Sequence, residues 1–146
     1  GPVSSPDGKR IAFMEKSLIR WHISVRSLET GEKRAVTRGG GACRPDWSPD
    51  GRILAFVSTQ DTAKADLWFR EMNGSRDGRV WRVPTRKNAY NYDPSFSPDG
   101  LSLAMASTIS RGKKEQWDIF LMNVNGRDIS RLTGSEGNDR FPDWKP

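Results

Sequence analysis

A chain of 146 residues is long enough for one compact unit and too short for a cofactor domain joined to a substrate domain. Hydrophobic residues make up 34%, and no run approaches the 18 or so consecutive apolar residues a membrane span requires; with 10% aromatics, six Trp among them, the chain is expected to fold rather than stay disordered. The net charge of +6 is lopsided, since residues 1–44 hold nine basic and four acidic side chains, residues 45–93 eight and seven, and residues 94–146 seven of each.

Gly1-Pro2 reads as a scar left by tag removal, which would place any leader outside the sequence. Next comes Ser5-Pro6-Asp7-Gly8, and the same four residues return at Ser48–Gly51 and Ser97–Gly100. Each copy runs into a matching apolar string: Ile11-Ala12-Phe13, Leu54-Ala55-Phe56 and Leu103-Ala104-Met105. Upstream, Pro45-Asp46-Trp47 matches Pro94-Ser95-Phe96, and a further copy, Pro142-Asp143-Trp144, lies near the C-terminus; the first repeat has only Val3-Ser4 there. Residues 23–28, 67–72 and 119–124 form a third apolar stretch leading to Gly31, Gly74 and Gly126, and 34–37, 82–85 and 131–133 close each repeat.

These pieces predict four short strands per repeat. Ser-Pro-Asp-Gly is a tight turn, with Pro at the second and Gly at the fourth position, and Asn73-Gly74 and Asn125-Gly126 are further turns between the third and fourth strands. No helical pattern with caps competes. Four strands at a period of 40–50 residues describe a blade of an all-β propeller. Blades are expected over about 3–44, 45–93 and 94–141, with 142–146 as a closing strand.

The repeated Pro-x-Trp-Ser-Pro-Asp-Gly-x-x-Ile/Leu-Ala-Phe string resembles the TolB-type, WD-like β-propeller repeats over nearly the whole chain. That resemblance implies a periplasmic or secreted, non-catalytic platform that binds protein or peptide. Trp47, Phe96 and Trp144, with Phe13, Phe56 and Met105, are expected to fill the layers between blades. The Ser and Asp of each turn are expected to bond the turn's own backbone.

Binding residues are expected where the connections to the innermost strands converge, at the mouth of the channel. Arg44, Tyr90, Tyr92 and Arg140 are the candidate partner-binding residues, because Arg and Tyr are enriched at contact hot spots. Catalysis has little to stand on. His22 is the only histidine, Cys43 the only cysteine, and neither a Gly-x-Ser-x-Gly elbow nor a phosphate loop is present. No cofactor or metal site is expected, and membrane insertion is not. Two alternatives remain: the accessory propeller of a prolyl-oligopeptidase-like hydrolase, and a basic module for nucleic acid or anionic glycan. The second is disfavoured because the basic residues are spread along the chain rather than clustered. Three blades are too few to close a ring, so a homodimer of six blades is expected, with residues 141–146 of one chain forming the innermost strand of its partner's first blade beside residues 11–13.

Overall fold

The computed structural model describes residues 1–61, 63–73, 78–112 and 114–145; Gly74 and Pro146, named above, lie outside the described residues. Among the described residues twelve strands form three antiparallel sheets, each a four-stranded meander in chain order. The first holds β1 (Val3–Ser4), β2 (Arg10–Lys16), β3 (Trp21–Ser27) and β4 (Lys33–Ala35). The second holds β5 (Ala42–Trp47), β6 (Ile53–Ser58), β7 (Asp66–Glu71) and β8 (Val80–Arg82). The third holds β9 (Asn91–Phe96), β10 (Ser102–Arg111), β11 (Lys114–Asn123) and β12 (Ser130–Arg131). No helix occurs among the described residues.

The turns are built identically. In the second blade Ser48 Oγ donates to Asp50 Oδ1 at 2.6 Å, Arg52 N donates to the same oxygen at 3.0 Å, and Ile53 N donates to Ser48 Oγ at 2.9 Å. Ser5–Asp7 and Ser97–Asp99 repeat this set. Gly8, Gly51 and Gly100 follow with φ near +70°, a conformation open to glycine without a Cβ clash. Accepting these bonds holds each Asp carboxyl below its usual range. A carboxyl depressed in the folded state stabilises above its ordinary pKa, and the contribution disappears as pH falls through the folded value. Asp50→Ala is therefore expected to lower the unfolding free energy by about 1–3 kcal/mol at pH 7 and by less near pH 3, measured by urea unfolding at both pH values.

Between the first two sheets lies one core, with Leu54, Phe56, Trp47 and Met72 against Ala12, Ile23 and Val25; a second, between sheets two and three, holds Ala55, Val57, Phe69, Phe96, Leu103 and Met105. Strand alternation produces this: Leu54 and Phe56 face one neighbour, Ala55 and Val57 the other. The repeat shows where a neighbour is missing. Leu54, Phe56, Leu103 and Met105 are at most 1% exposed, whereas their counterparts Ile11 and Phe13 in the first blade are only half-buried.

Three expectations need correction. Innermost strands begin earlier than Pro45 and Pro94, at Ala42 and Asn91, so Arg44 and Tyr92 lie within strands and not in loops. The edge beside Ile11 and Ala12 is occupied by the chain's own β1, with Val3 opposite Ala12 and Ser4 opposite Ile11, so residues 141–146 of a second copy have no vacant place there. Instead the C-terminal segment stays on its own chain, where Trp144 Nε1 donates to Ser95 O at 3.0 Å, as Trp47 Nε1 donates to Val3 O one blade earlier. Residues 142–145 pair with no strand, and Trp144 is half-buried rather than fully covered like Trp47, because no further blade packs on it among the described residues.

Candidate functional site at the channel mouth

Arg44, Asp93 and Phe141 occupy the same position in successive repeats, each directly before a proline, and each has a positive φ, of 55°, 53° and 59°. Left-handed backbone at a non-glycine residue costs on the order of 1–2 kcal/mol, and a following proline disfavours helical backbone. A β-bulge goes with it: the register shifts between Cys43 and Asp46 on β5, and opposite the Ala104–Ala106 step on β10. Such bulges re-aim side chains. Here they turn Arg44, Asp93 and Phe141 toward one another around a cavity of about 200 Å³, whose wall continues through Val3, Asp46 and Asp143.

Asp93 is the centre of the cluster, with a side chain only 4% exposed. Arg140 Nε and Nη2 both donate to Asp93 Oδ2, at 2.9 and 2.8 Å, while Arg44 Nε lies 3.3 Å from Oδ1. Both guanidiniums also cover Phe141, each at 5.1 Å from its ring centre, and Arg140 stacks on Trp117 at 4.3 Å. Tyr92 meets Trp117 edge-on at 5.6 Å and lies 5.5 Å from Arg140. Two cations share one carboxylate on an aromatic bed, and the carboxyl groups of Asp46 and Asp143 lie on the same cavity wall.

Of the four residues singled out in the sequence, the structure thus brings Arg44, Tyr92 and Arg140 together. Tyr90 is engaged separately, by Lys64 Nζ at 5.0 Å from its ring and by Thr108 through its backbone. Sequence reasoning missed Trp117 and Phe141, and the hairpin between β2 and β3. That hairpin points to the same end of the blades and carries Leu18 and Ile19, 100% and 81% exposed, beside half-exposed Trp21. The one available signal was Ser17-Leu18-Ile19-Arg20-Trp21, an apolar sequence at the tip of a hairpin.

Asp46 lines the same cavity. Burial, with a smaller contribution from the Asp143 carboxylate, pushes its carboxyl up to about 6, even though Phe96 N donates to Oδ2 at 2.8 Å. A carboxyl raised in the folded state destabilises as pH rises from its ordinary value of about 4 through 6. Asp46→Asn keeps an acceptor and removes the charge. Its unfolding free energy should exceed that of wild type by about 1–2 kcal/mol at pH 7.5, after allowance for partial exposure, and match it at pH 4, measured by urea unfolding at both pH values. A gain independent of pH would show that charge is not the cause.

His22 Nε2, near the start of β3, sits 3.4 Å from Glu15 Oε1. Cys43 is half-buried, and burial pushes its thiol up, away from the reactive thiolate.

Three repeated four-stranded meanders, packed face to face with their innermost strands around one cavity, define part of a β-propeller. The family model for the TolB beta propeller domain (PD40) matches residues 1–146, and the chain belongs to that family. An uncharacterized protein of Agrobacterium fabrum is 26% identical over 97% of this chain and 50% of its own length. An uncharacterized peptidase of Bacillus subtilis is 32% identical over 57% of this chain and 14% of its own length. TolB from Acinetobacter baumannii superposes with a TM-score of 0.76 at 22% identity, covering 95% of this chain and 33% of that one. The chain therefore spans half or less of the length of these relatives.

Proposed function

We propose that this TolB-type propeller segment is a non-catalytic platform whose mouth binds a protein or peptide bearing carboxylates, and that a second copy covers the open blade faces to give six blades. The observation that carries the first half is the pair of guanidiniums on one buried carboxylate, flanked at the same end by exposed Leu18, Ile19 and Phe141. Arg on an aromatic bed beside apolar side chains is the composition of contact hot spots. The half-buried Ile11 and Phe13 support the second half, since residues in their places are fully covered wherever a neighbouring blade is present. Family membership supports a periplasmic setting.

Binding to an array of capped acidic and basic peptides tests this reading. Acidic peptides should be retained, with affinity falling at least about tenfold in Arg44→Ala and Arg140→Ala, a loss of about 1.4 kcal/mol. Binding that stays within twofold when Arg44, Tyr90, Tyr92 and Arg140 are all alanine would misplace the site. Retention on heparin or duplex DNA with a steep salt dependence would favour the polyanion alternative. A second reading, the accessory propeller of a prolyl-oligopeptidase-like hydrolase, draws on the Bacillus subtilis peptidase; it requires a Gly-x-Ser-x-Gly elbow in the same reading frame.

A further inference from the structure

At the turn end of the blades, opposite the mouth, a cavity of about 400 Å³ opens between sheets two and three, walled by Ile53, Phe69, Trp81, Phe96 and Val124 and closed by the turn at Gly100. The repeat supplies its own comparison. In the corresponding cleft between sheets one and two, the position of Ile53 is held by Arg10, each being the second residue after the turn glycine. Arg10 Nη1 donates to Met72 O at 3.0 Å, Nη2 donates to Gly51 O at 3.0 Å, and the guanidinium covers the Trp47 ring at 4.5 Å.

Each of those three partners has a counterpart one blade on. Gly51 N bonds Ser48 O as Gly100 N bonds Ser97 O, and Met72 N bonds Arg52 O as Val124 N bonds Leu101 O. The counterparts of the two carbonyls are thus Gly100 O and Val124 O, and the counterpart of Trp47 is Phe96. Ile53 has nothing to donate, and no described residue donates to either carbonyl. The surroundings have changed in the same sense. Arg34 and Arg52, which stand near Arg10, are replaced by Trp81 and Leu101, so among the described residues the cavity is lined by Asp50 and Asp99 and by no basic side chain, the nearest cation being Arg79, which covers the Trp81 ring at 4.6 Å.

We propose that this cavity is a receptor for a guanidinium, presented as an arginine side chain by a partner protein. The guanidinium donates to Gly100 O and Val124 O and lies over Phe96, in the acidic field of Asp50 and Asp99; the arginine stem packs on Trp81 and Leu101. Two divergent donors and a planar cation are needed at once, which a lysine ammonium supplies poorly. Because the site lies at the opposite end from the mouth, it stands independently of the mouth reading.

The test is a titration of the 15N-labelled protein with capped Gly-Arg-Gly, Gly-citrulline-Gly and Gly-Lys-Gly peptides, following the Trp81 indole and the Gly100 and Leu101 amides. The arginine peptide should shift these signals saturably, and the citrulline and lysine peptides should bind at least tenfold more weakly. Ile53→Arg, which fills the cavity from within the chain, should abolish the shifts, while Arg10→Ile should open a second site reported by the Trp47 indole and Gly51. Arg44→Ala should leave arginine-peptide binding unchanged, so failure here and failure at the mouth are distinguishable. Equal response to arginine and citrulline, no response to arginine, or undiminished binding in a folded Ile53→Arg overturns the proposal. Should Ile53→Arg not fold, the arginine–citrulline comparison and the Arg10→Ile gain decide it alone.

Discussion

Trp47→Ala is expected to lower the unfolding free energy by about 3–5 kcal/mol, the range for removing a large aromatic side chain from a core. Trp47 is 5% exposed and is the hinge of the first blade interface. Its ring packs with Leu54, Phe56 and Met72, its face carries the Arg10 guanidinium, and its Nε1 donates to Val3 O, which tethers the short β1. Truncation opens a cavity and leaves Val3 O without that donor. Equilibrium urea unfolding checks the magnitude. Trp47→Phe separates the two contributions: it keeps most of the packing, loses the bond to Val3, and should cost only about 1–2 kcal/mol. A loss below 1 kcal/mol in the alanine variant would mean that the two sheets are not held together at this residue.

The second large effect is expected at Asp93. Its carboxylate is nearly buried and is shared by two guanidiniums, Arg44 at Oδ1 and Arg140 at Oδ2. Removing one partner of a buried ionic group is costly because the remaining charge stays unpaired. The Arg44 and Arg140 side chains are 40% and 26% exposed, so water relieves part of that cost. Asp93→Ala should therefore destabilise by about 2–3 kcal/mol, with part of the loss arising from the left-handed backbone, which Asp tolerates better than Ala. Asp93→Asn keeps that tolerance and one acceptor, so the difference between the two variants measures the backbone share together with the retained hydrogen bond to Arg140. Amide exchange should also quicken at Asp139, whose N–H bonds Trp117 O beside the cluster, since Arg140 loses its anchor to the third blade.

Period and turns were legible because they depend on local residue type. Ser, Pro, Asp and Gly at fixed offsets dictate a turn wherever they occur, and a continuous apolar run after it, as at 53–57, dictates a strand buried on both faces. The bulged residues were not legible. Arg44, Asp93 and Phe141 share no side-chain chemistry, and what makes them equivalent is a backbone conformation, visible only as the proline that follows each. The Arg44–Asp93–Arg140 cluster depends on contacts 47 and 49 positions apart that no local pattern encodes. The C-terminal Pro-Asp-Trp copy was recognised, but sequence alone could not say which edge it would reach; β1 fills the edge beside Ala12, and the tail lies against Ser95 of its own chain. Likewise, the exchange of Arg10 for Ile53 reads as an ordinary strand substitution until Met72 O and Gly51 O are seen to be what Arg10 holds.

Light scattering on the purified chain tests the six-bladed assembly most directly. On the outer face of the first blade, beside Ser24 and Arg26, Ile11 and Phe13 stay half-buried where their counterparts in the other two blades are fully covered, and this is the face a second copy would cover. A particle of twice the 16.4 kDa chain mass is expected, dissociated by Phe13→Glu with each monomer still showing a β-sheet spectrum. A soluble particle of 16.4 kDa across the concentration range, unfolding cooperatively and indifferent to Phe13→Glu, would contradict it.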